Sequence, residues 1–234
     1  MEEESEFLEP SDLTLLERSV LAYQRSPVLR MIVKLYPPLA VAEAGVLGVY
    51  EYFRNRRMHV FAEEYLRLNL QVSEEQARER NFVDAFTATA KRVLNTSQDE
   101  KIRLFAHVFG NFVKGGAFDS VDALEEVLSV LDDMSMREFQ LLLLLRRHEE
   151  MNERVAGENR LQRANRFWQQ FTTDAENELN VPPQELPGML ERLNRTGLYT
   201  TLIGAYLDYV GDRGHLTPIF DRFLMVLDQQ SAKR

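Results

Sequence analysis

Apolar side chains recur every three or four residues along most of the chain, which is the spacing of one face of an α-helix. Sets at this spacing are Met58, Phe61, Tyr65 and Leu68; Phe82, Phe86, Ala90 and Val93; Ile102, Phe105, Phe109 and Phe112; and Val121, Leu124, Leu128 and Leu131. Aromatic residues arranged in this way are typical of a helical core. The pattern therefore predicts amphipathic helices that pack against one another.

Helix start signals separate these apolar stretches. Three segments match the capping box, in which a serine and a residue three positions later bind each other's backbone N–H groups: Ser73-x-x-Gln76, Ser97-x-x-Glu100 and Ser135-x-x-Glu138. Further starts are predicted at Ser11-Asp12 and Ser26-Pro27, and Gly115-Gly116 is a typical helix end. We expect an acidic flexible tail over residues 1–10, a helical bundle over 11–116, and a second module over 117–234.

The second module begins with a leucine-rich run that leads into a long charged stretch. We predict one long inserted helix around 136–178, which ends before the helix-breaking pair Pro182-Pro183. Leu190 and Leu193 then mark a short helix that stops at Gly197.

A β-hairpin is predicted after Gly197. The run LYTTLIGAYLDYV is rich in β-branched and aromatic residues and is followed by a turn at Gly211–Gly214, and Thr217-Pro218 opens a final helix. The end of the chain therefore reads as helix, hairpin, helix.

This order resembles a winged helix. The matching segments are Met136–Leu145, Leu190–Leu198, Tyr199–Leu216 and Thr217–Leu224. The helix at Glu100–Val113 resembles the helix that precedes such a module in uncharacterised bacterial, prophage-associated and abortive-infection-type helical proteins. The resemblance implies a mainly α fold, with a multi-helix N-terminal bundle followed by a winged-helix-like C-terminal module that carries a small β-hairpin. It also suggests a prophage or phage-defence setting.

Composition restricts the choice of partners and compartment. Twenty-eight basic and 37 acidic residues give a net charge of −9, which disfavours a protein whose whole surface binds phosphate groups. The absence of cysteine excludes disulfides, thiolate zinc sites and cysteine nucleophiles. The acidic start, MEEESEFLEP, lacks the basic and apolar regions of a secretory signal, so a cytoplasmic location is expected.

No catalytic or metal-binding constellation is visible. His148-Glu149-Glu150 begins like a zinc-protease helix, but Asn152 occupies the position of the second histidine. No histidine has a glutamate three residues before it, as a ferritin-like site requires, and there is no phosphate-binding glycine loop or G-x-S-x-G motif. We therefore expect no catalytic residues, no cofactor and no metal, and a protein that is not an enzyme.

Seven basic residues are candidates for binding. Arg54, Arg56 and Arg57 form the strongest positive cluster; Arg192 and Arg195 lie on the helix in the recognition position; and Arg213 and His215 lie beside the predicted wing. Because residues 182–234 carry six basic and six acidic side chains, the module lacks the clear positive footprint of a DNA reader.

The leading interpretation is a non-enzymatic helical interaction protein that docks a protein partner through the winged-helix-like module and forms homo-oligomers. The first alternative is a DNA-binding transcriptional regulator, in which Met189–Arg195 enters the major groove and Arg213 reaches the backbone. The second is a membrane-associated protein that acts through residues 39–57. Membrane contact is not favoured, because Leu39–Phe53 contains Glu43 and Glu51 and is shorter than the about 20 residues that a spanning helix needs.

Overall fold

A computed structural model describes the backbone of residues 46–115, 118–202 and 213–227, and the side chains from residue 56 onward. Within these ranges the protein is mainly helical, with eight α-helices and one two-stranded sheet, as predicted. The predicted tail at 1–10, the helix starts at Ser11-Asp12 and Ser26-Pro27, and the side chain of Arg54 lie outside the described residues. The chain divides into two compact units, Met1–Glu125 and Glu126–Arg234.

The first unit is a group of helices around an aromatic core. Its helices are α1 (Val46–Arg67), a short 3-10 helix (Gln76–Arg78), α2 (Arg80–Asn95) and α3 (Asp99–Val113). The rings at the centre have centroid separations of 5.5 to 6.4 Å; they belong to Phe61, Tyr65, Phe82, Phe86 and Phe109. These residues come from the predicted apolar sets, so the helical spacing identified this core correctly.

Two of the predicted helix starts in this unit have different outcomes. Ser73 and Gln76 bind each other's backbone N–H groups at 3.1 and 3.0 Å, but the box opens the 3-10 helix, and α2 begins only at Arg80. The prediction at Ser97 is wrong: Gln98 takes the cap position without a side-chain bond. A helix start shifted by one residue puts Ser97 outside the position from which its hydroxyl reaches the first turn.

The boundary between the units falls inside a helix. Helix α4 (Val121–Asp133) begins before the boundary at Glu125 and ends after it. The predicted boundary at 116 lies earlier, at the glycine pair that follows α3. Gly115 has the left-handed φ of +67° expected of a helix end.

The second unit contains a helix hairpin where one long helix was predicted. Helix α5 (Met136–Met151) and helix α6 (Arg160–Leu179) are antiparallel: Asn152 lies near Arg163, and Arg137 near Leu179. The prediction of a continuous inserted helix around 136–178 is therefore wrong. Gly157, with φ +83°, turns the connection, and a capping box of Asn159 and Gln162 starts α6 anew.

The predicted helix–hairpin–helix order is confirmed at the end of the chain. Helix α7 (Leu186–Arg195) stops before Gly197, whose φ is +76°. It is followed by β1 (Tyr199–Thr201), β2 (Gly214–Leu216) and α8 (Pro218–Leu227).

The two strands are antiparallel, with Tyr199 opposite Leu216 and Thr201 opposite Gly214. The N–H of Leu202 donates to the carbonyl oxygen of Arg213, and Gly214 lies in β2, so these two residues are not in a turn as predicted. The other two residues of the predicted turn, Gly211 and Asp212, lie outside the described residues.

Candidate functional site

The described members of the basic cluster on α1 are engaged within the first unit. Arg56 pairs with Asp99 at 2.8 Å, and Arg57 donates to the carbonyl oxygen of Leu94, in the last turn of α2. Both arginines thus connect α1 to neighbouring elements. Their predicted role in binding a partner stays a prediction.

Arg192, on α7, which was predicted to be the recognition helix, is also engaged. Its Nε donates to Oε1 of Glu138 at 2.6 Å, and Glu138 is buried, with 5% of its surface exposed. Arg195, one turn later, is exposed. Both arginines line a groove of about 460 Å³ that runs from the end of α4 to α7, with Met134 and Leu193 in its floor.

Glu138 is held as a carboxylate by several donors. Burial by itself raises the pKa of a carboxyl, but hydrogen bonds from Ser135 and from Arg192 outweigh it, and the pKa of Glu138 lies below its usual value. Ser135 donates through its N–H and its hydroxyl, each at 2.8 Å, as part of the predicted capping box, which is confirmed.

The two basic residues beside the predicted wing lie against α6. Arg213 donates to Oδ1 of Asn165. His215 lies 2.9 Å from Arg160 through Nε2 and 2.7 Å from the carbonyl oxygen of Leu216 through Nδ1. Because a guanidinium only donates and a carbonyl only accepts, these bonds fit the neutral imidazole with its hydrogen on Nδ1.

A cleft of about 530 Å³ lies in front of His215, and we call it the Glu149 cleft. Its walls are the end of α5 and the residues after it, the first two turns of α6, strand β2 and the first turn of α8. Glu149 is half-buried and accepts from the backbone N–H of Leu216 at 2.9 Å. This bond ties α5 to the outer edge of β2.

The environment of Glu149 differs from that of Glu138. Burial raises the pKa of Glu149 above its usual value; the hydrogen bond from Leu216 and the charge of Arg163 offset this only in part, and the charge of Asp221 adds to it. Arg163 directs its own donors to the carbonyl oxygens of Asn152, at 2.6 Å, and Glu149. The carboxyl of Glu149 therefore has no arginine bound to it.

A glycine shapes the wall of the cleft formed by β2. Gly214 is buried, and a Cβ atom placed on it would lie 2.1 Å from the ring of Tyr199, which is 1% exposed. Only glycine leaves room for this ring across the two strands. The sequence suggested a turn glycine here, whereas the structure uses it for close packing.

The sequence-predicted residues do not converge on one surface. Arg192 and Arg195 lie at the groove near Glu138, whereas His215 lies at the cleft near Glu149. The two glutamates are separated by about 16 Å along α5, at 1.5 Å per residue.

Glu149 was missed by the sequence analysis, which considered it only as part of the rejected zinc-protease pattern. The signal was its position four residues after Leu145 and one after His148, both buried on the inner face of α5.

Among the described residues, no group of three or more metal-ligating side chains comes together, and none of the helices is long and apolar enough to cross a membrane. Comparison with known proteins gives no match, whether to a protein-family model, a curated protein or a solved structure.

Proposed function

We propose that this chain is a non-enzymatic interaction protein whose carboxy-terminal unit is a winged-helix-like module that docks a protein. The order α6, α7, hairpin, α8 supports the winged-helix description. The proposed prophage or phage-defence setting is based on the sequence resemblance alone.

One observation favours protein over DNA as the partner: three of the four basic residues predicted to bind in the module have partners inside it. Arg192 binds Glu138, Arg213 binds Asn165, and His215 binds Arg160. Binding to a nucleic acid derives most of its affinity from arginine and lysine that neutralise phosphate. On α7 the outward-facing charges that remain are Arg195 and Glu191, which cancel.

The outer face of α8 is the surface that we assign to docking, and we call it the α8 face. It consists of Pro218, Ile219, Asp221, Arg222 and Met225, all of which are exposed. Ile219 is 46% exposed and Met225 65%, on a helix whose other side is buried. Arginine and methionine are enriched in protein interfaces, so this composition suits a protein partner.

The proposed occupant is a second copy of the chain, because the α8 face is complementary to itself. If two α8 helices pack antiparallel about a twofold axis between residues 221 and 222, Asp221 of each copy faces Arg222 of the other. Met225 then faces Pro218. An interface of this kind is isologous, as in most homodimers. The face is small, so we expect weak, concentration-dependent association.

Light scattering over a concentration series tests this proposal. The wild-type chain should pass from monomer to dimer, and Met225→Glu should remain a monomer because it places a charge in the apolar contact. Met151→Glu is the matched control: Met151 is 64% exposed at the end of α5 and is not part of the α8 face. A wild-type chain that stays monomeric at millimolar concentration, or loss of the dimer in both variants, would overturn the proposal.

A mobility-shift assay with mixed duplex DNA tests the alternative that the chain is a transcriptional regulator. At about 50 mM salt the electrostatic part of DNA binding is large, so a regulator should shift the duplex there. We expect no shift. A shift that Arg195→Gln weakens would favour the regulator instead.

A further inference from the structure

The Glu149 cleft contains three arginines that form no ion pair with a carboxylate in the described part of the chain. Within the described residues, Arg160 is directed to His215 and Arg163 to two backbone carbonyl oxygens, and Arg154 has no polar contact. A neutral imidazole and carbonyl groups accept hydrogen bonds but carry no negative charge. The three guanidinium groups therefore keep their full charge at the wall of the cleft.

The same cleft also contains carboxyls without an ion pair. The carboxyls of Glu149, Glu153 and Asp221 all line it, and none of them has an ion pair in the described part of the chain. By contrast, Arg146 and Glu150 at the same cleft pair with each other at 2.6 Å. Salt bridges thus form at this cleft where the geometry permits.

Opposite charges that share a cleft but stay apart form a dipolar surface. In the described part of the chain these charges form no ion pairs with one another, and two of them are held by contacts to other groups of the protein. Glu149 is fixed by the N–H of Leu216, and Arg160 by His215. A molecule with an anionic and a cationic end would complete both sets of contacts at once.

We propose that the Glu149 cleft binds a small dipolar molecule of the amino-acid type. Its anionic group lies at Arg154 and Arg160, and its cationic group lies at Glu149 and Glu153. The cleft volume of about 530 Å³ falls within the usual range for small-molecule sites. Phe167 and Pro218 supply apolar walls for the carbon chain between the two ends.

The charge state of Glu149 is consistent with this assignment. Burial without a bound cation raises the pKa of its carboxyl. An ammonium group placed beside it would favour the carboxylate and offset that effect.

A series of ω-amino acids of increasing length tests which separation of ammonium and carboxylate groups fits the cleft. The compounds are glycine, β-alanine, 4-aminobutyrate and 6-aminohexanoate, with acetate and methylammonium as half-molecule controls at equal ionic strength. Binding is followed by calorimetry and by amide chemical shifts of the full chain. We expect an affinity maximum at one length, with each half-molecule at least about tenfold weaker, since one charged hydrogen bond contributes about that much.

Two pairs of variants connect the binding to the cleft. Arg154→Gln and Glu149→Gln should each weaken the best compound about tenfold. The matched controls, Arg195→Gln and Glu191→Gln, make the same changes at exposed positions outside the cleft and should leave binding unchanged.

The proposal is overturned if affinity does not depend on chain length, or if the controls weaken binding as much as the cleft variants do. Because Pro218 and Asp221 belong to both the cleft and the α8 face, binding is also measured on Met225→Glu, which should be a monomer with an open cleft. Failure of the dimer in wild type and failure of binding in this variant are then separate results.

Discussion

Two glutamates on one helix meet opposite conditions. Glu138, in the first turn of α5, is bound by Arg192 at 2.6 Å and by Ser135, and its pKa is lowered. Glu149, three turns later, accepts from one backbone N–H, its neighbour Arg163 binds carbonyl oxygens and not the carboxyl, and its pKa is raised. Burial acts in the same direction on both, so the difference comes from the donors that reach each carboxylate.

The comparison separates a charge that serves the fold from a charge that is open to a ligand. A carboxylate with a full set of donors inside the chain gains little from another partner. A carboxyl that is desolvated without a bound cation gains more when one arrives. For this reason we expect the contacts of Glu138 to stabilise the second unit, and the cleft near Glu149 to bind a ligand.

The largest effect is expected when Glu138 loses its arginine. Arg192→Ala leaves a buried carboxylate without its main charged donor, and we expect the free energy of unfolding to fall by about 2 kcal/mol at pH 7. The loss is below that of a fully buried pair because the side chain of Arg192 is 53% exposed. Urea unfolding followed by circular dichroism measures it.

Arg195→Ala is the control for this change. Arg195 is exposed on the same helix, so its loss should alter stability by about 0.5 kcal/mol or less. Equal losses in the two variants would contradict the structural role of the Glu138–Arg192 pair.

The next largest loss of stability is expected when Ser135 loses its hydroxyl. Ser135→Ala removes the hydroxyl that donates to Glu138 and accepts from its N–H, at 2.8 and 3.2 Å, and should cost about 1 kcal/mol. It should also raise the pKa of Glu138, because one donor to the carboxylate is lost. Carboxyl titration by NMR checks the second effect; an unchanged pKa would mean that the Ser135 hydroxyl does not hold the charge.

Much of this fold was predictable because its signals are local. Helical spacing gave the aromatic core of the first unit, and the box at Ser135 gave the start of α5 correctly. The break between α5 and α6 was missed because the connection is charged, as a solvated helix would be. The signals for a break in this connection are Gly157 and the Asn159–Gln162 capping box. The sequence analysis recognised only boxes that begin with serine.

The site was less predictable because its contacts are distant in the sequence. Arg192 was identified as a basic residue in the recognition position, but its partner Glu138 is 54 residues away. The bond from Leu216 to Glu149 spans 67 residues. Periodicity shows which face of a helix is buried, and it carries no information on which distant donor meets a given carboxylate.

The smallest expected effect lies at Glu149 and has the opposite sign. A folded-state pKa above the unfolded value means that the folded chain holds the proton more tightly, so stability falls as the pH rises through this interval. Above it, ionised Glu149 is a cost. Glu149→Gln removes that cost and keeps an oxygen for the Leu216 N–H, so we expect the variant to be more stable than wild type at pH 7, by about 0.5 kcal/mol or less. At pH 3, where both side chains are neutral, the difference should vanish.

Glu138→Gln should behave in the reverse way, less stable than wild type at pH 7 and closer to it as the pH falls through the lowered pKa. Thermal unfolding of both variants from pH 3 to 7 measures the two signs, and the same sign at both positions would show that the two ends of α5 do not differ as the contacts indicate.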